Sequence, residues 1–548
     1  MSGGTENDVA LFEDATQAVV VNLLTSTVAN DGFGNVESIV NVENLHGGPL
    51  GDTLTLGNGG AYAFGRRGGD TLVGGNGNDN LIGGSGADSL AGGNGGDNVD
   101  YYDDGFDGLG PITQGANVNL TTNRAVDGWG FTDTLSGVDN VTGSQLGDTI
   151  IGNAGVNVLS GNDGNDSISG GGANDNLTGG SGNDTLRGEA GGDSFNSDAG
   201  NDLIDGGVVV DTVNLTDGNS ISYFNSPAGI VADLRGYSAD GNGGSGTVQD
   251  GFGGVDTLIA IAFFTGSTHN DSIRGSDGTN FEMFDGGLGN DTIDGGLNGS
   301  NRIRYNSAND GVRVDLRDGT ASGGGGNDVF FNMSAAYGGP FNDTIYGSDS
   351  NSVTEQFSGQ GGSDYIDGRG GIDVVRLEQG GNNAITANLV TGIATDGQGG
   401  TDTLVGIEGV YGGNGNDTLT GGHPDSDAFE TWRGGAGNDL IDGGSGIDRA
   451  EYGNSTAAVN ITLANSGDTV VSDGLGGNDT LRNIERLLGT ALNDTLTGND
   501  AANTLEGGNG NDILRGGLGH DRLIGGNGDD TLAGGLGDDT LDGGAGVD

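Results

Sequence analysis

The chain has 548 residues, of which 78 are Asp or Glu and 18 are Arg; it has no Lys, its net charge is −60 and its pI is about 4.1. That balance excludes a nucleic-acid partner, which needs Lys/Arg patches, and the absence of Cys excludes disulfides and zinc-thiolate sites. No apolar run reaches membrane-spanning length. The acidic first residues, MSGGTENDVALFEDATQ, lack the basic-then-apolar order of a cleavable signal peptide. Low hydrophobicity (32%) with this much charge predicts disorder, whereas regular spacing of the 123 glycines argues against simple low complexity. The two readings are reconciled if folding is coupled to neutralisation of the carboxylates.

Six related cassettes follow one another along the chain. Cassette 1 (1–101) opens with the alternating strand Val19-Val20-Val21-Asn22-Leu23. It passes through the acidic loop DGFGNVESI (31–39) and the apolar piece Val42-Glu43-Asn44-Leu45, and ends in a block of glycine turns at 65–100. Cassette 2 (102–215) repeats that order, with a strand at 116–120, the loop DGWGFTDTL (127–135) and the longest turn block, 143–214. Cassettes 3 (216–305), 4 (306–377) and 5 (378–452) carry strands at 230–234, 312–316 and 385–389. Their loops are DGFGGVDTL (250–258), SGGGGNDVF (322–330), which has lost the leading Asp, and DGQGGTDTL (396–404). Cassette 6 (453–548) has a strand at 459–463, the loop DGLGGNDTL (473–481) and a turn block at 489–548. Blocks close on a strand ending in an aromatic residue or Leu, at 97–101, 211–215, 373–377 and 448–452, with a weaker copy at 301–305. The spacers are expected to continue a solenoid as broader, less regular coils. The last residues, GGAGVD (543–548), form a turn without its strand, so a seventh cassette is expected to follow.

Inside the blocks a nonapeptide recurs: Gly-Gly-x-Gly-x-Asp, then x-apolar-x. It reads GGNGNDILR, GGLGHDRLI, GGNGDDTLA and GGLGDDTLD over 507–542. Glycine at positions 1, 2 and 4 permits turns whose carbonyl oxygens point inward, and position 6 adds a short carboxylate. Hard oxygen donors of this kind suit Ca²⁺ rather than zinc or copper. Polar residues at 7 and 9 around an apolar residue at 8 give the period of a short strand with one inward side chain. A nonapeptide cannot bury that residue alone. Two units make one coil, coils stack as parallel sheets, and metal sits between the turns of neighbouring coils.

This pattern resembles the RTX calcium-binding family of secreted bacterial proteins. The resemblance implies an all-β fold: an elongated right-handed parallel β-roll or β-solenoid of nonapeptides, interrupted by β-rich spacers. It implies Ca²⁺ held by turn carbonyls and by the Asp at position 6. In the early block these are Asp70, Asp79, Asp88 and Asp97, and in the longest block Asp148, Asp166, Asp175, Asp184, Asp193, Asp202 and Asp211. The final block supplies Asp494, Asp512, Asp521, Asp530, Asp539 and Asp548. Isolated turns add Asp52, Asp271, Asp291, Asp343, Asp364, Asp373, Asp417, Asp439 and Asp448. Asn157 and Asn503 depart from the pattern at position 6, which weakens or removes a site there, and Asp211 follows a turn that has lost its position-4 glycine. At two charges per ion, roughly 20–30 Ca²⁺ would offset most of the net charge. The wider spacer loop holds two carboxylates six residues apart around two glycines. It is either an additional calcium loop or an Asp/Gly turn joining two strands.

No catalytic constellation emerges. HExxH and GxSxG are both absent, the nearest string to the latter being GNSTA at 453–457. His46, His269, His423 and His520 are scattered, and His520, at a variable repeat position, is expected to face solvent. Trp129 and Trp432 are expected to pack spacer loops. The chain is therefore read as non-enzymatic. Carboxylate repulsion would keep it unfolded in a low-calcium cytoplasm, and extracellular calcium would fold it. The resemblance implies type I secretion from a Gram-negative bacterium to the cell exterior or surface. A structural role follows, as surface layer, fibre, matrix or adhesin stalk. The partners are then calcium ions, further copies of the chain in a filament or lattice, or cell-surface polysaccharide. The rival reading is the RTX repeat region of a larger secreted hydrolase or toxin whose catalytic domain lies outside this sequence.

Overall fold

The computed structural model describes residues 7–102, 111–208, 218–237, 243–278, 281–297, 300–378, 381–422 and 429–548. Among them there are β-strands and no helices. They form two compact units, residues 1–284 with 294–299, and residues 285–293 with 300–548.

In both units the strand is the second half of the nonapeptide. Thr71–Asn76 buries Leu72 and exposes Thr71, as the period-two pattern requires. Consecutive strands alternate between two facing sheets, so neighbours in one sheet lie eighteen residues apart: Leu72 aligns with Leu90, and Ala63 with Leu81, both in parallel register. Glycine is obligatory where coils touch. Gly86, at position 4, has φ +148°, and a Cβ there would strike the carbonyl oxygen of Gly68 in the preceding coil.

In the first unit one sheet is parallel throughout. Its inward residues form a single file, Leu45, Ala63, Leu81, Val99, Val141, Leu159, Leu177, Phe195, Ile221 and Phe264, each at most 1% exposed. The facing sheet is parallel within the turn blocks and changes at the spacers. There Asn117–Asn119, Arg124–Val126 and Thr132–Ser136 make an antiparallel meander. Its outer strands pair in parallel with Thr149–Ile151 on one side and Ser89–Asn94 on the other. Val231–Tyr237, Gly244–Gln249 and Val255–Ile261 repeat the arrangement. The spacers are therefore not simply broader coils. Tight turns reverse the chain within one sheet, while the other sheet passes directly from Asn98–Asp100 to Asn140–Thr142.

The second unit is built alike. Its parallel sheet aligns Ile303, Ala336, Phe357, Val375, Val410, Trp432, Ala450, Leu487, Leu505 and Leu523. Trp432 thus does not pack a spacer loop; fully buried, it fills the core position held elsewhere by Leu or Val. Spacer strands pair antiparallel at Val312–Asp315 with Thr320–Gly323, at Thr386–Asn388 with Ile393–Thr395, and at Thr469–Ser472 with Asn478–Arg482.

A single inward side chain per strand makes each one count. Leu177→Ala is expected to lower the local opening free energy of Asn176–Ser181 and its neighbours by about 2–5 kcal/mol. Hydrogen exchange in saturating calcium reads this, and the half-exposed Val158→Ala is expected to change it by less than about 0.5 kcal/mol.

Candidate metal centres

The position-6 aspartates stand one above another along the edges of the coils, joined by one repeated hydrogen bond. The N–H of each donates to Oδ1 of the Asp eighteen residues later. In the first block Asp52 donates to Asp70 (2.6 Å), Asp70 to Asp88 (2.7 Å) and Asp79 to Asp97 (2.9 Å). The ladder recurs from Asp148 through Asp166 and Asp184 to Asp202, and from Asp175 to Asp193. It recurs again from Asp494 through Asp512 and Asp530 to Asp548, and from Asp521 to Asp539. Isolated turns form shorter runs, Asp343 to Asp364 and Asp417 to Asp439. Asp211 and His423 lie outside the described residues.

The other oxygen differs between the start of a block and its interior. Six aspartates have both oxygens engaged by backbone N–H groups: Asp52, Asp148, Asp271, Asp343, Asp417 and Asp494. Oδ1 accepts from a spacer strand (Val19, Ala116, Ile230, Val312, Ile385, Val459). Oδ2 accepts from the residue four positions earlier (Gly48, Ser144, Ser267, Gly339, Gly413, Thr490). Further into the blocks Oδ2 is buried with no hydrogen-bond partner, at Asp70, Asp79, Asp88, Asp97, Asp166, Asp175, Asp184, Asp193, Asp364, Asp439, Asp512, Asp521 and Asp530. Each points into the space a position-1 side chain would fill. A Cβ on Gly65 would overlap both Asp70 Oδ2 and the Gly83 carbonyl oxygen of the next coil, and one on Gly507 would overlap Asp512 Oδ2 and the Gly525 carbonyl oxygen.

A buried, unpartnered carboxylate oxygen beside a carbonyl oxygen is a costly arrangement without a cation. Among the described ion pairs none involves a position-6 Asp. The donor set is all oxygen, which fits Ca²⁺. A cation bound there would neutralise the carboxylates and tie one coil to the next. A family model described as RTX calcium-binding nonapeptide repeat (4 copies) matches residues 64–99, 142–177, 178–213, 337–375, 410–423, 433–450, 488–523 and 516–548. The chain carries RTX calcium-binding nonapeptide repeats in these segments. No curated protein matches it.

This RTX protein also carries carboxylates that fall outside the repeat motif. Glu282, Glu355 and Glu430 are buried, and each takes the N–H of a turn residue (Ser276, Ser348, Gly422) through Oε2, as the block-opening aspartates do through Oδ2. Glu355 aligns with Asp373 and Glu430 with Asp448. Asp373 and Asp448 in turn donate their N–H groups to the spacer residues Glu408 and Glu485. For Glu355 and Glu430 the signal was Glu-x-aromatic-x, eighteen residues before an Asp, hidden because the sequence ahead of them has lost the glycine pattern. Asp198, at position 2 of its turn, joins Asp184 and Asp202, with carboxylate oxygens within 4.8 Å of one another. Asn157 and Asn503 use their amide nitrogens to reach the carbonyl oxygens of Asp139 and Glu485. His520 is exposed and accepts the Asp538 N–H.

Burial raises the pKa values of several position-6 aspartates in the metal-free fold. It pushes Asp70 up to about 8, with the Asp88 and Asp52 charges adding to it. It pushes Asp88 up to about 7, helped by Asp127, and Asp364 to about 8, helped by Asp402, Asp343 and Asp396. Asp373, beside Glu355 and Glu408, and Asp448, beside Glu430 and Glu485, each rise to about 8. In the unfolded chain an Asp titrates at about 3.9. Between about pH 4 and pH 8 the metal-free fold therefore binds more protons than the unfolded chain, and its stability is lost as pH rises. In EGTA, far-UV circular dichroism is expected to gain β-signal as pH falls from about 8 to about 6; a signal that weakens over that interval contradicts it.

Proposed function

We propose that this RTX protein is exported unfolded and folds outside the cell when Ca²⁺ enters between its coils. The folded chain then serves as an extracellular structural element: a surface layer, fibre, matrix or adhesin stalk. The observation that carries the reading is the file of buried Oδ2 atoms without protein partners, several of them, such as those of Asp70, Asp166 and Asp512, set beside a carbonyl oxygen of the next coil. A chain of net charge −60 with 18 Arg has no internal means of neutralising them, so the cation comes from solution. The interior position-6 aspartates are the metal ligands, with the carboxylates around Asp373 and Asp448 as further ones. Cytoplasmic calcium is too low to fill such sites, while extracellular levels suffice, which keeps the chain in an exportable state until it leaves through a type I pathway. The six cassettes, 1–101, 102–215, 216–305, 306–377, 378–452 and 453–548, are the units of this element. Its partners are calcium and either further copies of the chain or cell-surface polysaccharide. The lack of any catalytic motif, and the use of one apolar residue per strand for the core, support a scaffold rather than an enzyme.

Circular dichroism at neutral pH is expected to show little structure in EGTA and a β-sheet spectrum after addition of about 1 mM Ca²⁺; a well-folded metal-free chain would sink the proposal. Electron microscopy separates the second half of the reading from the first. Calcium-dependent filaments or sheets support the structural role, and dispersed particles at every calcium level overturn it.

A further inference from the structure

We infer that the acidic loops of the later spacers build calcium sites of their own, each at the downstream end of a turn block. The ligand is the loop's first aspartate: Asp250, Asp396 or Asp473. The inference rests on the proposed calcium-driven folding and adds sites that lie outside the nonapeptide.

Each of these aspartates uses one oxygen to make the turn. Asp250 Oδ1 accepts the N–H groups of Phe252, Gly253 and Gly254 at 2.8–2.9 Å. Asp396 Oδ1 accepts from Gln398, Gly399 and Gly400, and Asp473 Oδ1 from Leu475, Gly476 and Gly477. The turn needs nothing more, yet the second oxygen is not in solvent. Oδ2 of all three is buried without a hydrogen-bond partner, in residues at most 3% exposed. It is aimed at the last turn of the preceding block. A Cβ on Gly254 would meet both Asp250 Oδ2 and the carbonyl oxygen of Gly200, the position-4 glycine of that turn. Gly400 stands in the same way between Asp396 Oδ2 and the Gly362 carbonyl oxygen, and Gly477 between Asp473 Oδ2 and the Gly437 carbonyl oxygen.

The loop's second aspartate explains why the first is needed. Asp256, Asp402 and Asp479 accept the N–H of the last position-6 aspartate on their own edge of the coils, Asp202, Asp364 and Asp439 respectively, at 3.0–3.1 Å, as the next coil's Asp would. A Tyr at the start of the spacer or the end of the block then donates its hydroxyl to Oδ2 of two of these aspartates: Tyr223 to Asp256 at 2.9 Å, and Tyr452 to Asp479 at 3.1 Å. At Asp256 and Asp479 the oxygen that would face the metal in a regular coil is thus occupied, and the first loop aspartate supplies another; at Asp402 Oδ2 is itself buried without a partner, and Asp396 adds a second free oxygen. The first spacer supports this reading by contrast. There the second oxygen of Asp31 is taken by the Asn35 side-chain amide within the loop, at 2.8 Å. All-oxygen donors, carboxylate and carbonyl, again select Ca²⁺.

Asp→Asn keeps the turn-making Oδ1 and replaces Oδ2 by an amide nitrogen that cannot ligate. Full-length Asp250→Asn, Asp396→Asn and Asp473→Asn, the triple variant and Asp31→Asn are equilibrated with Ca²⁺ as the only added metal. Bound calcium per chain is then counted by elemental analysis. Each of the three single variants is expected to lose one ion and the triple variant three, while Asp31→Asn loses none. An unchanged count in the three singles overturns the inference, as does an equal loss in Asp31→Asn. A parent chain that binds no calcium overturns the folding proposal instead, so the two failures are distinct. Circular dichroism in saturating calcium checks folding, and if the triple variant falls short of the parent spectrum the single variants decide.

Discussion

Everything in this molecule is arranged around one electrostatic conflict. Carboxylates of neighbouring coils are held close together, buried, and given no basic side chain as partner. The hydrogen-bond ladder from Asp N–H to Asp Oδ1 fixes their spacing, and the glycines let the backbones come close enough to bury them. The same features that set the geometry make the metal-free fold unfavourable at neutral pH, as the raised pKa values of Asp70, Asp364 and Asp373 express. The hydrophobic contribution is thin in the turn blocks, one buried side chain per strand. Stability is therefore conditional on a cation, and the condition is written into the backbone path.

The ends of a block are where such a ladder is exposed, and the protein treats the two ends differently. At the upstream end the aspartate is saturated by backbone donors. Asp148 takes the Ala116 N–H from the spacer and the Ser144 N–H from its own turn, and the other five block-opening aspartates do the same. At the downstream end it is the spacer that offers a carboxylate to the roll. The spacers thus act as terminating pieces for a charged stack, which is why their antiparallel meanders recur in both units.

The regular part of this architecture is plain in the sequence because each nonapeptide states its turn, its ligand and its inward residue. The parallel pairing of Leu72 with Leu90 and the stacking of Asp166 on Asp184 follow from two such units per coil. The rest is not legible for identifiable reasons. Glu355 and Glu430 follow sequence that lacks the glycine pattern, so their register with Asp373 and Asp448 appears only once the strands are paired. Trp432 looks like a loop residue because it is far larger than the leucines it replaces, yet it lies in the same core file. The spacer meander depends on which neighbour each strand chooses, and alternating strands such as Val231–Tyr237 do not specify that. Composition likewise cannot distinguish Asp148, whose oxygens are both engaged, from Asp166, whose Oδ2 is not.

The joint between a spacer and a block consists of a carboxylate on one side and a main-chain N–H on the other, as in Asp52 with Val19 or Asp494 with Val459. Such a joint reads no side chain of the donor residue. It is also indifferent to how many coils lie between it and the next joint. Block length can therefore change by whole coils of eighteen residues through duplication or deletion of gene segments, without any compensating substitution at either end. Blocks as unequal as the long one after Gly143 and the short one after Gly338 are joined to their spacers in the same way, at Asp148 with Ala116 and at Asp343 with Val312.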